Sequence, residues 1–193
     1  MMLEELTAAD VKAKAKALGA DLVGIASMDR WEGAPKQCDP RYVFPRARAM
    51  VVLAFRIPRG VLRGIEEGTR FIDYPSMGYA SLNQVQGTMC LWRLVRWMED
   101  HGYEAIPQFN GNGGESINPV TGNFRKGWSQ PVAPGKPYPD VFVHFRIAAY
   151  LAGLGEFGWS KVFLTPQFGP RQRFAVMFTD APLEPDPIFE GHI

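Results

Sequence analysis

The chain has 193 residues, 46% hydrophobic and 21% charged, a balance that supports a globular domain with its own core and excludes a largely disordered chain. Lys and Arg number 21 against 20 Asp and Glu, so the formal net charge of +1 carries no electrostatic signature for nucleic acid or an anionic membrane. Cys38 and Cys90 are the only cysteines, which excludes a disulfide framework, and with His101, His144 and His192 they show no metal-ligand spacing.

Residues 7–18 read as a helix with a complete start signal. Thr7 and Asp10 are spaced as a capping box, Leu6 and Val11 occupy the hydrophobic staple positions, and Gly19 stands at the stop. Leu22–Ala26 reads as a short buried strand. Ala49–Ile57 is apolar almost throughout and reads as a central strand covered on both faces, ended by Pro58. Residues 81–101 read as the longest helix, with Ser81 and Gln84 as a second capping box and Gly102 as its stop. Its apolar stripe is read as Val85, Met89, Trp92 and Val95 or Leu94. Tyr103–Ile106 is a strand stopped by Pro107. Residues 108–139 have no sustained periodicity, and a loop of this length in a compact domain points to function or disorder. A helix over 140–151, a short strand at 162–164 and a last strand over 174–179 follow. The tail from 180 to 193, with Pro182, Pro185 and Pro187, reads as extended. No leader pattern opens the chain and no apolar run approaches the ~20 residues of a membrane span, so a cytoplasmic protein without a membrane span is expected. Alternating strands and helices without a dividing linker predict a single α/β or α+β domain over 1–193.

Four features carry candidate chemistry. Gly153, Gly155 and Gly158 crowd into one turn, where missing Cβ atoms let backbone N–H groups approach a ligand. The turn leads into a strand through Trp159, Ser160 and Lys161, so it is no phosphate-cradling G-x-G-x-x-G, and spacing alone favours a helix stop with a tight turn. Arg171 and Arg173, if both on a strand, share a face and suit a phosphate or carboxylate, although solvated edge charges are commoner. Tyr74 and Tyr79 precede the long helix, where a tyrosine facing a cavity acts as a proton donor, ordinary packing being the commoner case. Tyr138 and Asp140 form a similar pair, with Asp140 most simply a helix N-cap.

The order of longer segments goes further. "HGYEAIPQFN" after the long helix, then "AGLGEFGWSKVFLTPQFGPRQRFAVMFTDAPLEPDP", resembles corrinoid-dependent reductive dehalogenases and their relatives, the epoxyqueuosine reductases. "LTAADVKAKAKALGADLVGIASMDRW" looks like the epoxyqueuosine reductase side, whereas "LTPQFGPRQR" and "TDAPLEPD" look more like the dehalogenase side. The resemblance implies an α+β, nitroreductase-like three-layer α/β/α domain that binds cobalamin or another cobamide. It also implies two [4Fe-4S] clusters that feed electrons to the cobalt, and a Tyr or Asp that gives a proton as a halogen or epoxide oxygen leaves. By the same resemblance Gly153, Gly155 and Gly158 match the corrinoid-contacting turn, and Ser160 and Lys161 stand where polar contacts to the ring are expected. Thr165, Pro166, Gly169, Pro170 and Arg171 match the family's Thr-Pro-Glu-(Tyr/Phe)-Gly-Pro-Arg stretch, with Gln167 in place of its Glu. Tyr79, or Tyr74, stands near the dehalogenases' proton donor, and Asp140, or Tyr138, near the acid of the epoxide reductases.

The family's cluster cysteines follow the "PLEPDP" segment, and this sequence has no cysteine beyond Cys90. The electron relay is therefore expected on a missing region or on an iron–sulfur partner. The leading expectation is the corrinoid-binding domain of a reductase acting on a small molecule, with tRNA as substrate only on the epoxyqueuosine reductase side. The alternatives are a non-catalytic cobamide-binding or carrier module and an FMN-binding relative of the same fold. A homodimer is compatible with such a fold.

Overall fold

The computed structural model describes residues 6–108, 110, 131–137, 139 and 141–193. In chain order its elements are α1 (Ala8–Ala17), β1 (Leu22–Ser27), β2 (Ala49–Arg56), α2 (Gly60–Glu66), a π-helix (Tyr74–Gln86), α3 (Gly87–Asp100), β3 (Ala105–Gln108), α4 (Phe145–Leu151), β4 (Glu156–Phe157), β5 (Phe163–Leu164) and β6 (Gln172–Thr179). Tyr138, Asp140 and most of the 108–139 loop lie outside the described residues.

The first helix forms as its sequence dictates. The Thr7 hydroxyl accepts from Asp10 N at 3.2 Å and the Asp10 carboxylate accepts from Thr7 N at 3.0 Å, while Leu6 and Val11 are buried side by side in sequence position N′ and N4. Gly19, at φ 110, ends it with the paired bonds Gly19 N to Lys16 O and Ala20 N to Ala15 O, a Schellman motif. The same pairing closes α3 at Gly102 and α4 at Gly153.

Four strands form one antiparallel sheet in the order β1-β2-β6-β3. Strand β2 is central and buried from Ala49 to Phe55, as its apolar run demands. Alternate residues serve opposite faces. Val51, Leu53 and Phe55 meet α1 and α3, together with Ala175 and Met177 of β6. Met50, Val52 and Ala54 meet α4, Met28, Trp31 and Phe44 on the other side. The result is a three-layer α/β/α arrangement of mixed helix and sheet.

Several expectations are corrected. The long helix does not begin at a Ser81 cap: Ser81 lies inside the π-helix, its hydroxyl 3.7 Å from the Met77 sulfur. The buried face of α3 is Gly87, Cys90, Leu91, Leu94, Val95 and Met98, whereas Val85, Met89 and Trp92 are exposed. Both stripes have helical spacing; the small residues of the first let the helix approach the sheet, a Cβ on Gly87 falling 3.4 Å from the Phe55 ring. Strand β3 runs through Pro107 because it is an edge strand, where one missing donor is tolerated. Helix α4 starts at Phe145 with His144 as its N-cap. Residues 141–144 are held extended instead: Phe142 N donates to Gln37 O at 3.0 Å, and Val143 O accepts from Gln108 Nε2 at 2.8 Å. The short strand at 162–164 is one arm of a β4–β5 hairpin.

The tail lies along the open edge of β1. Asp186 N donates to Ile25 O and the Asp186 carboxylate accepts from Ile25 N, both at 2.8 Å, with Lys12 paired to the same carboxylate. The Arg30 guanidinium donates to the carbonyls of Leu151 and Asp186, clamping the end of α4 to the tail. A sheet edge that would otherwise present unpaired backbone groups is thereby covered.

Candidate functional site

Strand β3 pairs with residues 176–179 of β6, and among the described residues no strand pairs with the first half of β6 on that side. A cavity of about 480 Å³ occupies the gap, bounded by the π-helix, the segment leading into α4, the β4–β5 hairpin and β6 itself. Asn110 closes part of the edge, its side-chain amide donating to the Phe174 carbonyl.

The π-helix decides what faces this cavity. Residues five apart would lie about 140° from one another on an α-helix, but the wider i to i+5 bonding brings them toward one side. Tyr74 and Tyr79 accordingly line the same wall. Arg173, from β6, stacks its guanidinium 4.3 Å from the centre of the Tyr79 ring. Its Nε donates to Oδ1 of the buried Asn83 at 2.9 Å, so the π-helix and the strand hold one another through this group.

On the opposite wall His144 and Arg146 stand together. Arg146 donates to the Lys161 carbonyl at 2.8 Å and approaches His144 Nε2 at 3.4 Å. Burial, and then the neighbouring Arg146 charge, holds the His144 imidazole below its ordinary value of 6.5. The ring is thus neutral at pH 7. With Nε2 facing a donor, the ring proton belongs on Nδ1, a buried atom without a hydrogen-bond partner among the described residues. Among the described residues no Asp or Glu lines the cavity, while Arg146 and Arg173 do. Such a site favours anionic or carbonyl-rich ligands.

Tyr79 is placed in the cavity, and Tyr74 beside it. Arg171 is not: strand β6 begins at Gln172, and Arg171 turns to a separate cleft with Arg56 and Arg59, so the two arginines of "RQR" serve different spaces. Gly153 (φ 72) ends α4, and a Cβ there would lie 2.1 Å from the Pro187 carbonyl oxygen. A Cβ on Gly155 would lie 1.9 Å from Leu164 O, and one on Gly158 3.0 Å from the Leu164 side chain. These three glycines make room for the protein's own tail and hairpin. Ser160 and Lys161 are exposed at the hairpin tip, and Lys161 (φ 62) is the one non-glycine residue with positive φ among the described residues. Thr165 is buried, accepting from Phe168 N at 3.2 Å and donating to Gln172 at 3.3 Å. Paired backbone bonds between Thr165 and Gly169 close a turn that leaves Pro166 and Gln167 exposed.

Asn83, Asn110, His144 and Arg146 were not singled out as site residues by the sequence. Their approach depends on the π-helical register and on the extended 141–144 segment, neither of which has a periodic signature. Cys90 offers no reactive thiol, since burial pushes it up to about 11.

No protein-family model matches the chain, and no curated protein matches it in sequence. Among solved structures it is similar to the catabolic reductive dehalogenase NpRdhA, with a TM-score of 0.64 at 21% identity over 94% of this chain and 22% of that one. It is also similar to epoxyqueuosine reductase from Bacillus subtilis, with a TM-score of 0.59 at 17% identity over 95% of this chain and 48% of that one. An epoxyqueuosine reductase solved with an epoxyqueuosine-modified tRNA stem loop matches with a TM-score of 0.59 at 18% identity, covering 94% of this chain and 47% of that one. The chain therefore has the fold that reductive dehalogenases and epoxyqueuosine reductases share, and spans about half or less of their length. Among the described residues no helix is long and apolar enough to cross a membrane.

Proposed function

We propose that this chain is the corrinoid-binding domain of a reductive dehalogenase-like or epoxyqueuosine reductase-like oxidoreductase, with electrons supplied by iron–sulfur clusters outside it. The observation that carries the reading is a cavity with Tyr79 and Arg173 on its wall, in the fold of these reductases. A neighbouring dehalogenase structure is described as suggesting a mechanism for B12-dependent dehalogenation. A formal charge of +1 favours a small-molecule substrate over tRNA.

The residues present fit a large planar ring edged with amides. Exposed apolar side chains at Phe142, Trp159 and Val162 neighbour the polar Ser160, Lys161 and Arg146 around the cavity mouth and hairpin tip. The strained backbone of Lys161 belongs to the kind of position that clusters at ligand sites. Ser160, Lys161 and the turn over Thr165–Gly169 would hold the ring edge. Gly153, Gly155 and Gly158 support this surface from behind by letting hairpin and tail close up. When bound there, a corrinoid would supply the electrons that break the bond to the leaving group.

The chain's own part is to hold substrate and deliver the proton. Arg173 fixes the Tyr79 ring by stacking, and Asn83 fixes Arg173. The Tyr79 O–H then gives its proton to the carbon or oxygen that is being reduced, and is restored from solvent. Neutral His144 and cationic Arg146 orient a polar or anionic substrate group from the far wall. Asp140 and Tyr138, outside the described residues, are the alternative proton donors on an epoxide-reducing reading.

Hydroxocobalamin titration followed by visible absorbance tests the proposal. A saturable spectral change at micromolar protein is expected. Absence of binding there, or co-purification with a flavin absorbance band, defeats it. With titanium(III) in place of the clusters, Tyr79→Phe is expected to lower turnover of a halogenated phenol about 100-fold while leaving cobalamin binding intact. Unchanged turnover removes Tyr79 from the mechanism.

A further inference from the structure

A second cleft, of about 350 Å³, opens beside the end of β2 and shares no lining residue with the cavity at Tyr79. Arg56, Arg59 and Arg171 line it, with Ile57, Pro58 and Phe168 as its apolar wall. The backbone sets these positions firmly. Ile57 N donates to Arg171 O at 3.0 Å, Arg171 N donates to Phe168 O at 3.1 Å, and Pro58 fixes the turn between Arg56 and Arg59.

Four other arginines, Arg41, Arg46, Arg63 and Arg70, each reach a carboxylate. The three guanidinium groups of the cleft have no acceptor among the described residues. Asp21 stands near, but its carboxylate accepts the Arg56 backbone N–H, at 2.7 Å. Three like charges around one concavity repel one another and raise its positive potential, a cost that a bound anion removes. Guanidinium forks match phosphate oxygens in pairs, and the volume lies at the small end of ligand sites.

The geometry points to a binding site for an organic phosphate, its phosphate held by Arg56, Arg59 and Arg171 and its planar or apolar body against Phe168. This goes beyond the reductase reading: Phe168 belongs to the turn assigned there to the ring edge, but phosphate binding is read on the protein alone, without cobalamin, so the two readings fail separately.

Calorimetric titration with pyrophosphate and with AMP at low salt tests it. Both are expected to bind the wild-type chain with Kd below about 1 mM, and each of R56Q, R59Q and R171Q to weaken pyrophosphate about tenfold. R59K is expected to fall between wild type and R59Q, since it keeps the charge and loses the fork. R63Q, at an arginine already paired with Glu66 and Glu67, is expected to leave affinity unchanged. All three cleft arginines are exposed, so their variants are expected to keep the wild-type circular dichroism spectrum. No binding by the wild type, wild-type affinity in the three glutamine variants, or an R63Q loss as large as theirs overturns the site. Binding of an RNA stem loop with no binding of pyrophosphate or AMP overturns the assignment to a small phosphate.

Discussion

Gly153→Ala separates two accounts of the glycine-rich turn. If the glycine serves a ligand, the substitution harms binding and leaves the empty protein stable. If it lets the chain close on itself, the empty protein suffers. At φ 72 an alanine costs about 1–2 kcal/mol from its own backbone. Its Cβ would also lie 2.1 Å from Pro187 O, so the tail must move. That movement loosens the Arg30 bond to the Asp186 carbonyl, a charge-assisted contact worth about 1.5–3 kcal/mol. Together the loss is about 3 kcal/mol, which for a chain of this length lowers Tm by roughly 6–12 °C. Circular dichroism melts without added cofactor read it directly. Gly33→Ala is the control: it has φ 81 with nothing within 4 Å of the new Cβ, so it is expected to show only the backbone cost. A Gly153→Ala melt no lower than that of Gly33→Ala refutes the packing argument.

Asn83→Ala leaves the partly buried Arg173 without its acceptor, and a loss of about 1–3 kcal/mol in urea unfolding is expected; a change under about 0.5 kcal/mol means the pairing contributes nothing. His144 has a folded pKa below its unfolded one, so the unfolded chain binds more protons and stability falls as pH drops through 6.5, levelling once the folded group also protonates. The urea midpoint of the wild type is therefore expected to fall between pH 7.5 and pH 5.5 by more than that of His144→Gln; parallel curves contradict the assignment. With the Cys90 thiol at about 11, a thiol reagent at pH 8 is expected to label Cys38 in the native protein and to reach Cys90 only after unfolding.

Helix α1 was legible down to its cap, its staple and its glycine stop, because each is a local interaction between residues a few positions apart. The double-sided burial of β2 was legible from its unbroken apolar run. The helix that follows was legible in existence but not in face, since two stripes have the same spacing and only approach to the sheet selects between them. The π-helix has no periodic signature in the sequence, and the alignment of Tyr74, Tyr79 and Asn83 depends on it. The start of α4 is not legible for a related reason: Phe142 and Val143 give backbone groups to Gln37 and Gln108, far away in sequence.

The arginines of "RQR" mark the division most sharply. Residue type alone determined that two guanidinium groups stand beside a glycine-rich turn and suit an anion. Only the tertiary structure decided that Arg173 stacks on Tyr79 while Arg171 joins Arg56 and Arg59 in another cleft. Local spacing sets caps, stops and strand propensity, because those depend on neighbours along the chain. Where β6 begins depends on its pairing with β2, and one residue of difference sends a side chain to another space.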